Sequence, residues 1–564
     1  MGSRTNLATK NFHSLLPQVR SKIKRVLILD KIFDREKMVT GSGLPGGVRP
    51  PELKKGDITP ALVIFIYCAC YAVLRLLVSP GMELDEAEQF LNGSAFHLGY
   101  ARQAPLYTWI VWLVSLFSGR GLVMLVLIKY SMLFAFYLSF YLLARHFRNP
   151  RESLIATGSL LLFPIFSYEC NRDLSNTVLV ALMAVVACIF FLRILMSRSG
   201  RDYMLFGVAC GLGVLSKYNF VLFLLAVLLY GATAGQGRRA LSDKKMFLSL
   251  LCFAAVMLPH LMWLSQNGFP SVSYAYKLSR LWLPRPRPLL RFVVSVYSEV
   301  ILFLLVFLLF MGKDLSFRGV FRSKSDNIFW SKGSGDAISP AGMFPVLALY
   351  GLALPLIGIL AFDPGHFQDR WLTPVYFTLP LAGFSILEPR APRRRTASLG
   401  YLCLAIAVLI FLARAIVGFF PDLTGKAERI HIPYASLSRQ LEAGAREAGI
   451  GGLKGLPVLA PPGNTYIAAN VLAEMPGARY VTLADVYRRP WVLNEGGILV
   501  YAHGNSVPTR FLALFPDAER EAVSSPYLHT DGDRGGLPPY KLEALIIPPG
   551  ESRKDGFSPS LASK

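Results

Sequence analysis

The chain has 564 residues, 53% of them hydrophobic and only 17% charged, with a formal net charge of +23. Soluble globular domains average about 45–50% apolar and about 25% charged residues. The composition therefore excludes collagen, a disordered chain and a disulfide scaffold, and it points to a membrane-embedded body; so large a positive excess is either a nucleic-acid surface or a sign of topology.

In chain order, residues 1–58 form a polar tail with a dozen Lys and Arg. It has no apolar core of its own, so no cleavable signal peptide is expected; the first apolar run acts as a signal anchor, and Met38 is an alternative start. A bilayer core about 30 Å thick takes roughly 17–25 apolar residues as a helix. About eleven such runs follow, at 59–79, 121–145, 153–169, 176–197, 203–217, 219–235, 247–266, 290–312, 341–362, 371–388 and 398–420. The stretch 105–118 is too short to span and rich in Trp and Tyr, which predicts a helix lying in the interface.

Alternate connections hold the basic residues. They carry Arg145, Arg148 and Arg151; Arg198 and Arg201; Arg238, Arg239, Lys244 and Lys245; Lys313, Arg318, Arg322, Lys324 and Lys332; and Arg390, Arg393, Arg394 and Arg395. The positive-inside rule puts these loops and the tail in the cytoplasm. Most of the +23 is then topological, and no nucleic-acid partner is needed to explain it. Connections 80–120, 170–175, 267–289 and 363–370, the turn near 218, and the segment 421–564 face outward. That last segment alternates expected helices (434–448, 464–475, 507–515) with strands at Pro457, Tyr480, Ile498 and Leu545, which predicts a small α/β layer. It has no glycine-rich phosphate loop ahead of a helix, which argues against nucleotide binding. All seven cysteines lie in or beside apolar runs and are expected to be small core residues.

The densest acidic cluster, Glu83-Leu84-Asp85-Glu86-Ala87-Glu88, begins just after the first run. Such carboxylates suit a helix N-terminus. They equally suit a general base that takes a proton from an attacking hydroxyl. About twenty residues on comes Pro105-Leu106-Tyr107-Thr108-Trp109. An acidic pair after the first span followed by P-L-Y-x-W resembles the PMT-like glycosyltransferases of the GT-C superfamily. That group includes protein O-mannosyltransferases, lipid A aminoarabinose transferases and rhizobial lipopolysaccharide-core galacturonosyltransferases. Asn171-Arg172-Asp173-Leu174-Ser175-Asn176, Leu215-Ser216-Lys217-Tyr218-Asn219, Pro259-His260 with Trp263, and His366 through Pro374 fit the same pattern, which covers roughly residues 59–390.

The resemblance implies a GT-C-like, α-helical polytopic membrane protein of a bacterial inner membrane. It divides into a cytoplasmic tail (1–58), a transmembrane catalytic domain (59–420) and a periplasmic α/β domain (421–564). It also implies an inverting transferase that takes its sugar from a polyprenyl phosphate and gives it to a lipid or glycolipid acceptor of lipopolysaccharide or lipid A type. By this resemblance Asp85 is the general base, Glu86 its helper, and Asp173 orients it or binds the acceptor, pairing with Arg172 or Lys217 being the alternative. The aminoarabinose branch has a lysine two residues before the proline of P-L-Y where this chain has Gln103, beside Arg102. Lys217 and Arg370 are therefore the stronger candidates for the donor phosphate, with Arg102 a third. Tyr107, His366 and Asp369 are substrate-binding candidates. The outward stretch 267–289 is basic on the less basic side, so Arg285 and Arg287 are expected to close over an anionic substrate or to meet lipid head groups. Lys129 and Glu299 lie at matching depth within their runs and are expected to pair, lining of the carrier-lipid groove being the alternative. His260 and His366 with Asp85 and Asp173 allow a divalent cation, but no spacing marks a site, and no ligand is assigned. A transporter or flippase of lipid-linked sugar is the alternative; the absence of an internal repeat favours an enzyme.

Overall fold

The computed structural model describes residues 57–100, 103–270, 288–314, 340–362, 367–386, 393–451, 455–530 and 537–549. Apolar sequence in lipid must satisfy its backbone internally, and a helix does so residue by residue. The chain opens with α1 (Ile58–Val78), the short amphipathic α2 (Leu84–Asn92), α3 (Leu106–Ser118) and α4 (Leu122–Ala144). After α5 (Pro150–Gly158) come α6 (Ser175–Ser197), α7 (Gly200–Ser216), α8 (Phe220–Thr233) and α9 (Gly235–Leu241). The remaining long helices are α10 (Met246–Gln266), α11 (Pro288–Met311) and α12 (Pro340–Phe362); then come the short α13 (Thr378–Ser385) and the long α14 (Arg393–Phe419).

Every apolar run is helical, but not every run is one crossing. Among the described residues, seven helices are long and apolar enough to span a bilayer, or up to nine if each of two bent pairs is one span. The run expected at 153–169 is α5 and a 3-10 turn, bent by 88° from the helical stretch Ile165–Arg172. Pro164 stands at this break, where it cannot supply a helix hydrogen bond. The run at 219–235 bends by 109° into α9, α7 has only 17 residues, and the run at 371–388 is cut into turns before α13. Of the roughly eleven runs expected, those at 153–169, 219–235 and 371–388 are therefore broken and that at 203–217 is short.

α6 is the central pillar, with 72% of its apolar window buried, whereas α10 and α14 are peripheral at 22% each. Close helix approach comes from small residues, as is usual where lipid supplies no hydrophobic drive. Gly207 on α7 is one such contact, since a Cβ there would strike the backbone of Ser249 on α10. Lys129 and Glu299 do not pair. The Glu299 carboxylate accepts the Ile165 N–H at 2.9 Å, satisfying a donor exposed by the break. The Lys129 ammonium is buried elsewhere, with no hydrogen-bond partner among the described residues. Five cysteines are buried, but Cys252 is only partly buried and Cys70 is exposed on an outer helix face, which corrects the core assignment for those two.

Beyond α14 the chain forms α15 (Tyr434–Glu447), α16 (Thr465–Glu474) and a five-stranded sheet. Its strands are β1 (Pro457–Leu459), β2 (Arg479–Tyr480), β3 (Gly497–Ala502), β4 (Glu519–Ser525) and β5 (Tyr540–Ile547), in the order β2-β1-β3-β5-β4. The first three are parallel and β5 is antiparallel to both β3 and β4. Strands β1, β3 and β5 match the apolar tetrads of the sequence; β4 was missed because its buried pattern holds only one fully buried residue, Val523. This layer packs directly on the start of the chain. The Asn470 side chain accepts the Met82 N–H at 2.7 Å and donates to the Met82 carbonyl at 3.2 Å, Ser79 donates to the Ile430 carbonyl, and His529 meets the Val78 carbonyl at 2.7 Å.

Candidate active site

The acidic cluster forms the first turn of α2. Glu83 is its N-cap, closing a capping box with Glu86, whose carboxylate accepts the Glu83 N–H at 3.0 Å. Arg75, one turn from the end of α1, reaches back with two N–H groups to Glu86, at 3.2 and 2.5 Å, and caps α1 by donating to the Ser79 carbonyl at 3.0 Å. Burial opposes ionisation of Glu86, but Arg75 and Lys129 more than offset it and hold the carboxyl below its usual range. Glu86 is therefore committed to an ion pair and a cap.

Asp85, one residue earlier, is only partly buried and lies within electrostatic reach of Lys217 and Tyr107. Its backbone N–H donates to Asp173 Oδ1 at 3.0 Å, so an acid from the second outward connection clips the acidic turn in place. Asp173 is almost fully buried; burial, then the adjacent Asp85 and Glu83, push its carboxyl well above the usual carboxylate range. The next residue, Leu174, lies in the left-handed region at φ 48°, a conformation costing a non-glycine residue about 1–3 kcal/mol. The strain sits where the backbone must swing from the Asn171-Arg172-Asp173 turn into α6.

Lys217 is the first residue beyond α7. Its ammonium donates to Thr177 Oγ1 at 2.8 Å, and it feels Arg370, Asp85 and Asp369. Burial and then Arg370 push it down to about 8. Two residues on, Asn219 donates to the Trp371 carbonyl at 2.7 Å, stitching this turn to the one that carries Arg370. Arg370 itself is oriented by Gln368, whose side-chain oxygen accepts from Nε at 2.7 Å, and Asp369 accepts the Arg370 N–H at 2.7 Å. Gln368 and Asp369 also line a pocket of about 420 Å³ with Arg291, Ser295 and apolar residues of α11 and Phe367. Tyr107 is buried, hydrogen-bonded to Ser175, and lies within electrostatic reach of Asp85 and Asp173. The structure thus brings Asp85, Asp173, Lys217, Arg370, Asp369 and Tyr107 to one place. Arg102, Arg285, Arg287 and His366 lie outside the described residues.

Several neighbours escaped the sequence. Gln103 sits in a closed amide–hydroxyl network: its oxygen accepts from Gln89 at 3.0 Å and Asn176 at 2.6 Å, its nitrogen donates to Thr108 at 3.3 Å, and Thr108 donates to Gln89 at 2.7 Å. The network fills the place of the lysine expected in the aminoarabinose branch with neutral bonds. His260 is not positioned as a ligand. It stacks between Tyr218 and Trp263, with ring centroids 6.0 Å apart on each side, and both ring nitrogens are engaged, with Tyr218 and the Leu98 carbonyl. Gly99 permits this packing, because a Cβ there would collide with Trp263. Among the described residues no group of three or more His, Cys, Asp or Glu could hold a metal ion.

A family model described as dolichyl-phosphate-mannose-protein mannosyltransferase matches residues 102–263. Lipopolysaccharide core galacturonosyltransferase RgtB of Rhizobium johnstonii is 29% identical over 461 residues, covering 77% of this chain and 88% of the relative. RgtA of the same organism is 27% identical over 484 residues, covering 83% and 91%. In fold, the chain resembles ArnT from Cupriavidus metallidurans, with a TM-score of 0.52 at 15% identity, covering 87% of this chain and 98% of that one. The same enzyme bound to undecaprenyl phosphate gives a TM-score of 0.50.

Proposed function

We infer that the chain is a PMT-like membrane glycosyltransferase of the GT-C fold, and we propose that it moves one sugar from a polyprenyl phosphate to a lipopolysaccharide- or lipid A-type acceptor. The reaction runs on the periplasmic face of a bacterial inner membrane, with the tail (1–58) cytoplasmic and the α/β segment (421–564) periplasmic. The relatives named above are transferases, and two of them are uronosyl transferases by name, which favours a uronic-acid donor.

The observation that carries the mechanism is the meeting of two carboxylates with two cations from four separate connections. Asp85 accepts the proton of the acceptor hydroxyl while that oxygen attacks C1 of the sugar. The bond between C1 and the phosphate oxygen breaks, and the configuration at C1 inverts. Lys217 and Arg370 take the charge that develops on the departing polyprenyl phosphate. Asp173 holds the turn that carries Asp85, and Glu86 anchors it through Arg75. Tyr107 and Asp369 line the substrate side, and Arg102, Arg285, Arg287 and His366 join them on sequence grounds.

The test is transfer in proteoliposomes with lipid-linked sugar. Asp85→Asn, which keeps the shape and the backbone bond to Asp173, is expected to lower kcat by roughly 10²–10⁴. Retained transfer would remove Asp85 from the chemistry. Mass spectrometry of envelope glycolipids with and without the gene then identifies the sugar, a uronic acid being expected.

A further inference from the structure

One buried cation lies outside the mechanism above. Lys129 sits two turns into α4, only 1% exposed, and among the described residues its ammonium nitrogen has no hydrogen-bond partner. It stands 5.5 Å from the centroid of the Tyr130 ring, and the Tyr130 hydroxyl donates to the Asn171 carbonyl at 2.9 Å, in the connection that carries Asp173. An ammonium taken from water into a protein interior costs several kcal/mol unless an anion answers it. Glu299 cannot, being committed to the Ile165 N–H. Glu86 feels Lys129 as well, but it is already answered by two N–H groups from Arg75. Of the acids Lys129 attracts, Asp173 is left, and it is the one that clips the turn of Asp85.

We propose that Lys129 is a positioning residue for the transfer reaction: from inside the bundle it serves as counter-ion to Asp173, the acid that holds the turn of Asp85. This rests on the mechanism proposed above. The groups that face the pair are Glu83 and Glu86 from the acidic turn, Lys129 from α4, Tyr107 from α3 and Lys217 from the end of α7. Arg172, on the same turn as Asp173, faces Glu83 and is paired with Glu169 at 3.1 Å. Lys129 is the buried cation among them without a bond of its own. Removing it makes protonation of Asp173 easier, and a protonated Asp173 holds the Asp85 N–H more weakly.

The experiment is the pH dependence of kcat for Lys129→Met and Lys129→Arg in proteoliposomes. For Lys129→Met the acid limb should move up by about one pH unit, a tenfold loss on the steep part of that limb, with activity recovering toward wild type at higher pH. Donor KM should stay within about twofold, and Lys129→Arg should return the limb toward the wild-type position. A pH-independent loss would reduce Lys129 to a structural role, and a raised donor KM on an unmoved limb would make it a phosphate ligand; either result overturns the proposal. If Lys129→Met fails to fold, the double variant K129M/D173N should fold, since it buries no unanswered charge between these two; failure of the double variant also overturns it. Full transfer by Asp85→Asn would instead defeat the underlying mechanism, whatever Lys129 does.

Discussion

At the scale of single residues, the acids were legible because a run of carboxylates beside an apolar segment has few bland explanations. The helix-terminus explanation holds: Glu83 and Glu86 form the cap, and Asp85, partly buried, takes no part in that box. Arg75 was legible in principle, as an ionisable residue near the end of the first apolar run, eleven positions before Glu86. The network of Gln89, Gln103, Thr108 and Asn176 was not, since amides bond in so many patterns that no spacing announces them. Lys217 supplies a test at this scale. Its folded value is lowered to about 8 by burial and Arg370, so it is charged below that pH and loses its charge as the pH rises through it. A lysine that binds donor phosphate should therefore let donor KM climb above about pH 8. Lys217→Arg, charged throughout, should hold KM flat there. A wild-type KM independent of pH from 7 to about 9.5 would remove Lys217 from the phosphate site.

At the scale of elements, mean hydropathy located every helical run but not the breaks within them. Apolar composition sets where helix can form, whereas a bend depends on which side chain is available to satisfy the freed backbone groups. The bend beside Pro164 has such a partner in Glu299, more than a hundred residues away in the chain. Glu299→Gln keeps an oxygen that can accept the Ile165 N–H and should cost under about 1 kcal/mol. Glu299→Leu strands that donor and should cost about 1–3 kcal/mol, read as a lower melting temperature in detergent. Equal melting temperatures for the two variants would show that the bend stands without its acceptor. The same limit explains the Lys129–Glu299 misreading. Matching depth brings two charges to the same level in a bundle, but it does not say which way each helix face points.

At the scale of the whole molecule, the proposed sidedness has a direct check. In a background without native cysteines, a thiol placed at Arg198 should react only after the membrane is permeabilised, whereas one at Asn267 or Asn505 should react in intact spheroplasts. Labelling of both classes from one side would reject the orientation. The α/β layer was legible as alternating helices and strands, but its attachment was not, because a pair of amide hydrogen bonds leaves no periodicity. Asn470→Ala, which leaves the buried Met82 N–H without its acceptor, is expected to lower kcat with a smaller effect on KM. An unchanged kcat would make the contact incidental. The two bonds join positions 388 residues apart, and the ribosome makes the second long after the first. The turn that bears the proposed base therefore receives this support only after the membrane helices that precede Asn470 have been made. An unfinished transferase would stay silent while its membrane helices were already inserted, and lipid-linked sugar would be spared from half-made enzyme. Residues 1–420 expressed alone should be inserted but inactive, and supplying residues 421–564 as a second exported chain should restore transfer.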